Sequence, residues 1–226
     1  MRNNGYFQFK VTPEQINATR ELVEYSLIHH PVTDIYAGDK KDTYGLTGEE
    51  RAKAYRLTGT LGEILFADVY GLPRPTRSFG AIDGQDNGKD FKLMLANTIV
   101  SVDIKTMRRN YSGLRSYYVL DLPAYQIKKN ALTDCYFHIT LIAEDRLTLR
   151  NCTAAFVGYI YKSEIDTIGE FYAKGSLRAK DSGKPVLFSR DTYEIKLGDL
   201  LSPPTPENTE RLPEFRRVRI YDVERK

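Results

Sequence analysis

The stretch that most constrains this chain is KDFKLMLANTIVSVDIKT, Lys89 to Thr106. Two β-rich runs, Asp90–Leu95 and Thr98–Thr106, are separated only by Ala96 and Asn97. So short a link predicts a hairpin or a tightly connected pair of strands. Residues i and i+2 of a strand share a face. Asp103 and Lys105 therefore project together, while Val100, Val102 and Ile104 turn the other way into packing. The chain must build a sheet whose apolar strands also carry acids and a lysine.

Upstream, the pattern is helical. Thr12, Pro13 and Gln15 form an N-cap, a first-turn proline and a capping box, and this helix is expected to stop before Pro31. A polar loop with AGDKKDTYG follows. A second box, Thr47 with Glu50, opens a helix expected to end at Gly71, with Pro73 as a stop signal. From Leu57 to Ala67 its only charged residue is Glu63, and apolar side chains surround the axis. A helix end of that kind is buried, so Glu63 needs a partner such as a metal, a lysine or a backbone donor. Gly59 and Gly62 weaken the helix by about 1 kcal/mol each relative to alanine but permit close approach to a sheet or ligand.

Further strands are expected at Ser78–Ile82, Ser116–Leu120, Tyr136–Ala143 and Ala154–Tyr161, with a short helix from Ser163. KPVLFS and TYEIKL read as another pair of strands. The sum is an α/β chain with a mixed central β-sheet flanked by helices. Residues 1–201 are expected to form one domain, and residues 202–226 a proline-rich connector with a basic, strand-like tail that is peripheral or used for assembly.

Asp90 opens the first strand of the pair and can lie beside Asp103, while Glu63 can pack against the same sheet edge. Carboxylates that converge repel one another unless a positive group sits among them, and hard cations such as Mg²⁺ take such oxygen ligands and bridge to phosphates. A neighbouring lysine can orient water and offset charge on the phosphate. Three acids and a lysine in this order fit hydrolysis of a phosphodiester.

The same ordered residues, in GEILFADVYG (Glu63), GKDFKL (Asp90) and VSVDIKT (Asp103, Lys105), resemble the PD-(D/E)XK nuclease superfamily over roughly Thr47 to Tyr161. The resemblance implies a restriction-endonuclease-like fold. It also implies Asp90 and Asp103 as metal ligands, Glu63 as an additional ligand, and Lys105 as partner of the attacking water. Mg²⁺ is the implied cofactor, with Mn²⁺ as a substitute, DNA the substrate, and a homodimer a common assembly. Lys89 stands where the motif name has proline, and Asp103 is the rarer of its two acids. Gln126 is carried over as a residue near the site.

Arg108 and Arg109 follow the catalytic strand and, with Lys128, are candidate phosphate contacts. Tyr111, Tyr117 and Tyr118 are candidates for stacking on bases. A net charge of +3 and a pI near 8.7 permit nucleic-acid binding without arguing for it. Asp83 is the alternative to Asp90, set aside because Phe91 and Leu93 alternate after Asp90 as at a strand start. DGQDNGKD fails as a calcium loop because Gln85 and Met94 occupy ligand positions. GTLGE lacks the Gly-Lys-Ser/Thr ending of a phosphate loop.

With 41% hydrophobic and 28% charged residues, no long apolar run and no signal-like N-terminus, the chain reads as soluble and cytoplasmic. Cys135 and Cys152 are expected to be reduced and buried, and the histidines show no zinc spacing. Two other functions fit the same residues: a non-catalytic nucleic-acid-binding or assembly module on this fold, and a nuclease acting on RNA.

Overall fold

The computed structural model describes residues 2–3, 5–29, 46–76, 90–110, 113–129, 132–145, 148–180 and 183–220. The strand expected at Ser78–Ile82, the AGDKKDTYG loop, Asp83 and Tyr111 lie outside the described residues.

Both capping boxes form. Thr12 N–H donates to Gln15 Oε1 at 3.0 Å and Gln15 N–H to Thr12 Oγ1 at 3.2 Å, ahead of α1 (Pro13–His29). The same reciprocal pair joins Thr47 and Glu50 ahead of α2 (Gly48–Tyr70). Gly71 closes α2 at φ 64°, a left-handed cap that glycine takes without steric cost. Arg74 ties Asp68 of α2 to Glu14 of α1, which holds the Glu14 carboxyl below its ordinary pKa. Among the described residues no helix is long and apolar enough to cross a membrane.

The strands are β1 (Tyr6–Lys10), β2 (Phe91–Leu95), β3 (Thr98–Arg109), β4 (Val119–Pro123), β5 (Cys135–Ile142), β6 (Thr153–Tyr161), β7 (Glu170–Tyr172), β8 (Leu177–Lys180), β9 (Gly183–Leu187), β10 (Thr192–Lys196) and β11 (Arg216–Val218). Two short helices, α3 (Ala124–Lys129) and α4 (Ile165–Ile168), interrupt them. Six strands form a mixed sheet in the order β11-β1-β6-β5-β3-β2, in which β3 and β5 run parallel and the other pairs antiparallel. A smaller sheet, β4-β10-β7, and the β8–β9 hairpin complete the set. The mixed α/β class is as expected.

Several details differ from the sequence reading. Tyr6–Lys10 is a strand that the sequence reading did not identify. It pairs with β6 and with β11, the basic segment near the C-terminus. The strand expected at Ser116–Leu120 begins instead at Val119, because a turn closed by Tyr118 N–H to Arg115 O occupies the earlier residues. KPVLFS and TYEIKL do not pair with each other. The first joins β8 in a hairpin, and the second is flanked by β4 and β7.

The main sheet separates two apolar cores. On one face Val100, Val102 and Ile104 of β3 pack with Leu57, Leu61 and Leu65 of α2. On the other, Tyr136 of β5 packs with Leu120 and Leu122 of β4 and Ile195 of β10. Alternation along β3 therefore sends Asp103 and Lys105 to the face opposite α2.

Candidate active site

The site grows from the β2–β3 hairpin. Its two-residue turn holds Ala96 at φ 46° and Asn97 at φ 65°, the positive dihedrals that a tight turn matched to strand twist requires. Register runs from Leu95 opposite Thr98 to Phe91 opposite Val102, and Asp90 immediately precedes these paired residues. There the ladder changes character. Asp90 N–H donates to Val102 O at 2.9 Å, and Asp90 Oδ2 accepts from Ile104 N–H at 2.6 Å. A side-chain oxygen thus takes a place on β3 that a backbone carbonyl would fill in a continued ladder. This fixes the Asp90 carboxylate where β2 begins and β3 runs on.

Asp103 is buried, with 4% of its surface exposed, and its Oδ1 pairs with Lys105 Nζ at 2.8 Å. The ammonium also lies over the Tyr136 ring, 5.6 Å from its centroid. Tyr136 faces Asp103 in the parallel β3–β5 register. Burial, then the Asp103 charge, pushes the Tyr136 phenol well above its ordinary pKa. Burial, reinforced by Asp134 and Asp103, lifts the Cys135 thiol to about 12, and burial does the same for Cys152 against the pull of Arg108 and Lys10. Both cysteines are free and buried, as expected.

Strand β5 grips β3 on either side of these residues. Asp134 Oδ2 accepts from Ser101 N–H at 2.7 Å, and Asp134 N–H returns a bond to Ser101 O at 3.0 Å. His138, opposite Lys105 in register, places Nδ1 3.1 Å from Lys105 O, and its Nε2 lies 3.0 Å from Thr140 Oγ1. A carbonyl can only accept, so Nδ1 carries the proton and Nε2 accepts from the threonine hydroxyl. Burial, then the nearby Arg109 charge, brings the His138 pKa down to about 3, so the ring is neutral.

Glu63 is half-buried on α2. The residue before it, Gly62, sits so close to β3 that a Cβ there would meet Thr106 Oγ1 at 1.8 Å. Glu63 is therefore beside β3 one residue beyond Lys105, but on the helix-covered side of the sheet. The Asp90 carboxylate is held at the Ile104 amide of β3 and Lys105 pairs with Asp103, while Glu63 is carried by α2. Among the described residues no three His, Cys, Asp or Glu side chains are grouped to hold a metal ion.

The expected phosphate contacts lie further out. Arg108 and Arg109 end β3, roughly 10–13 Å along the strand from Lys105 at about 3.3 Å per residue. Arg108 Nη1 donates to Asp145 O at 3.3 Å, and Arg109 Nη2 to Val119 O at 3.3 Å. The Arg109 guanidinium stacks over the Tyr118 ring at 4.8 Å, and Tyr118 meets the exposed Tyr117 edge to face. Gln126 and the exposed Lys128 are carried by α3, where Gln126 Nε2 donates to the Tyr125 hydroxyl at 3.2 Å.

Sequence reasoning passed over Tyr136 and His138. Both stand at alternate positions of CYFHITLI, polar groups in an apolar strand, which is the same signal that singled out Asp103 and Lys105. Comparisons with protein-family models, curated proteins and solved structures return no match for this chain.

Proposed function

We propose that this chain is a divalent-metal-dependent nuclease that hydrolyses DNA phosphodiesters, an endonuclease of the PD-(D/E)XK type on a restriction-endonuclease-like fold. The observation that carries the reading is the Asp90 carboxylate held at the Ile104 amide, next in sequence to Asp103, with Lys105 joined to Asp103 at 2.8 Å.

Mg²⁺ is commonly held by one or two carboxylates, with water and substrate phosphate completing its shell. Asp90 and Asp103 supply that number of hard oxygen donors from neighbouring positions, so the residue set fits. They would hold the ion, and Glu63 would contribute directly or through water. A bound Mg²⁺ or Mn²⁺ supplies Lewis-acid stabilisation of charge at the phosphate and lowers the pKa of water.

The chain's own residues do the rest. The Ile104 amide pins the Asp90 carboxylate, so little reorganisation accompanies ligand binding. Asp103 aims the Lys105 ammonium, which donates hydrogen bonds to the attacking water or to a phosphate oxygen that gains charge. Arg108, Arg109, Gln126 and Lys128 serve as contacts to flanking phosphates, which position the strand without reading its sequence.

The test is cleavage of plasmid, linear and branched DNA in Mg²⁺, in Mn²⁺ and in chelator, with Asp103→Ala and Lys105→Ala alongside. The reading expects metal-dependent cleavage that falls by roughly a hundredfold or more in each variant. Binding of DNA without cleavage under every condition would leave the non-catalytic module as the better account. Cleavage of RNA alone would reassign the substrate.

A further inference from the structure

We infer that Tyr136 is a positioning residue that holds Lys105 against Asp103; its consequence for catalysis rests on the nuclease reading above. A lysine has four rotatable side-chain bonds and on an open strand samples many rotamers. Here its ammonium is confined from two directions, by Asp103 Oδ1 at 2.8 Å and by the Tyr136 ring at 5.6 Å. A cation at this distance over an aromatic face is attracted by the ring quadrupole.

The ring itself is closely packed. Tyr136 is fully buried and packs in the core that contains Leu114, Leu120, Leu122 and Ile160. Its strand is pinned to β3 on both sides of the contact, by Asp134 at Ser101 and by His138 at the Lys105 carbonyl. The platform and the lysine backbone thus sit on two strands hydrogen-bonded to each other, and the lysine side chain is what the ring orders.

The ring does this, and the hydroxyl does not. Among the described residues the Tyr136 hydroxyl is buried without a hydrogen-bond partner. A polar function for that oxygen would show as a bond to the lysine, the acid or the backbone. What the site uses is an aromatic face at the strand position next to Asp103.

The test reads Lys105 directly. In protein labelled with ¹³C-lysine, the Lys105 ε-methylene signal is assigned by its loss in Lys105→Arg. Wild type and Tyr136→Phe are expected to show that signal shifted upfield by the ring current, and Tyr136→Leu to show it among the exposed lysines. A wild-type Lys105 signal at the exposed position overturns the proposal whether or not any variant folds. Cleavage is measured on the same samples. Tyr136→Phe should rescue the activity that Tyr136→Leu loses by roughly tenfold or more. If wild type cleaves DNA and Tyr136→Leu cleaves equally well with its ring shift gone, Tyr136 does not position the reaction. If wild type does not cleave at all, the nuclease reading falls, and the spectra alone decide whether the ring holds Lys105.

Discussion

At the residue scale, charge in the interior is tolerated only where a partner is supplied. Asp103 has its lysine, Asp90 has a backbone amide, and His138 stays neutral between a carbonyl and a hydroxyl. His138 carries a pH prediction. Its pKa of about 3 in the folded chain lies below the ordinary value of 6.5, so protons bind the unfolded chain more readily between those values. His138 should therefore contribute stability above about pH 6.5 that is lost progressively as the pH falls towards 3. Thermal melts across that range check it: His138→Asn should flatten the acid limb relative to wild type, and an unchanged limb would refute the assignment. The shared face of Asp103 and Lys105 was legible in the sequence because it follows from strand period alone. The companion residue Tyr136 was not, since its place beside Asp103 depends on a strand that begins more than twenty-five residues later.

At the element scale, the contact between α2 and β3 is set by one missing side chain. Gly62 weakens the helix, and it is where the helix touches the sheet, one of the two close approaches expected of it. A methyl group there would meet Thr106 Oγ1 at 1.8 Å and Thr106 Cβ at 2.9 Å. Gly62→Ala should gain up to about 1 kcal/mol in helix propensity yet lose about 1–3 kcal/mol by overpacking, for a net destabilisation. Denaturant unfolding of Gly62→Ala, Thr106→Ala and the double variant checks this. The double variant should cost less than the sum of the singles, because the clash is between those two side chains.

The smaller sheet holds a second element-scale prediction. Glu194 of β10 lies opposite Asp121 of β4 and Glu170 of β7, and pairs with Arg178 of β8 at 3.0 Å. Burial, then the Asp121 charge, raises its pKa to about 7; Arg178 opposes the shift, while a hydrogen bond with Asp121 and the charge of Glu170 add to it. Burial, then a hydrogen bond with Glu170 and the charges of Glu170 and Glu194, raises the pKa of Tyr172 on β7 to about 12 against the pull of Arg178. A carboxyl whose folded pKa is raised is stabilising while protonated, and that stability is lost as the pH rises through about 7. Melting temperature should fall between pH 5 and 8 more steeply in wild type than in Glu194→Gln, by an amount equivalent to about 3 kcal/mol at most. Equal slopes would remove Glu194 as the cause.

For the whole molecule, the segment after the proline-rich stretch is woven into both cores. Leu212 and Phe215 pack with the helix-side core, Ile220 is buried in the other, and β11 pairs with β1 from Tyr6 to Gln8. A chain ended at Leu201 would lose those side chains and expose β1 as an apolar sheet edge. Its expected behaviour is aggregation or a melting temperature lower by at least about 10 °C, as loss of several kcal/mol implies. Size-exclusion chromatography and a thermal melt check it, and a monomeric fragment melting like wild type would contradict it.

By itself, the sequence determined what is local. Capping boxes, the glycine stop of α2, the two-residue turn and the alternation of β3 each depend on neighbours within a few positions, so side-chain chemistry and backbone sterics decide them directly. Only the tertiary structure decided what is distant. The parallel docking of β5 on β3, the edge pairing of β1 with β11, and the separate fates of KPVLFS and TYEIKL turn on which apolar faces bury one another. Such burial is non-directional and leaves no short-range signature. The site straddles that divide: Asp90, Asp103 and Lys105 share a hairpin, while Tyr136 and His138 meet them, and Glu63 lies beside their strand, only because the sheet and helix pack as they do.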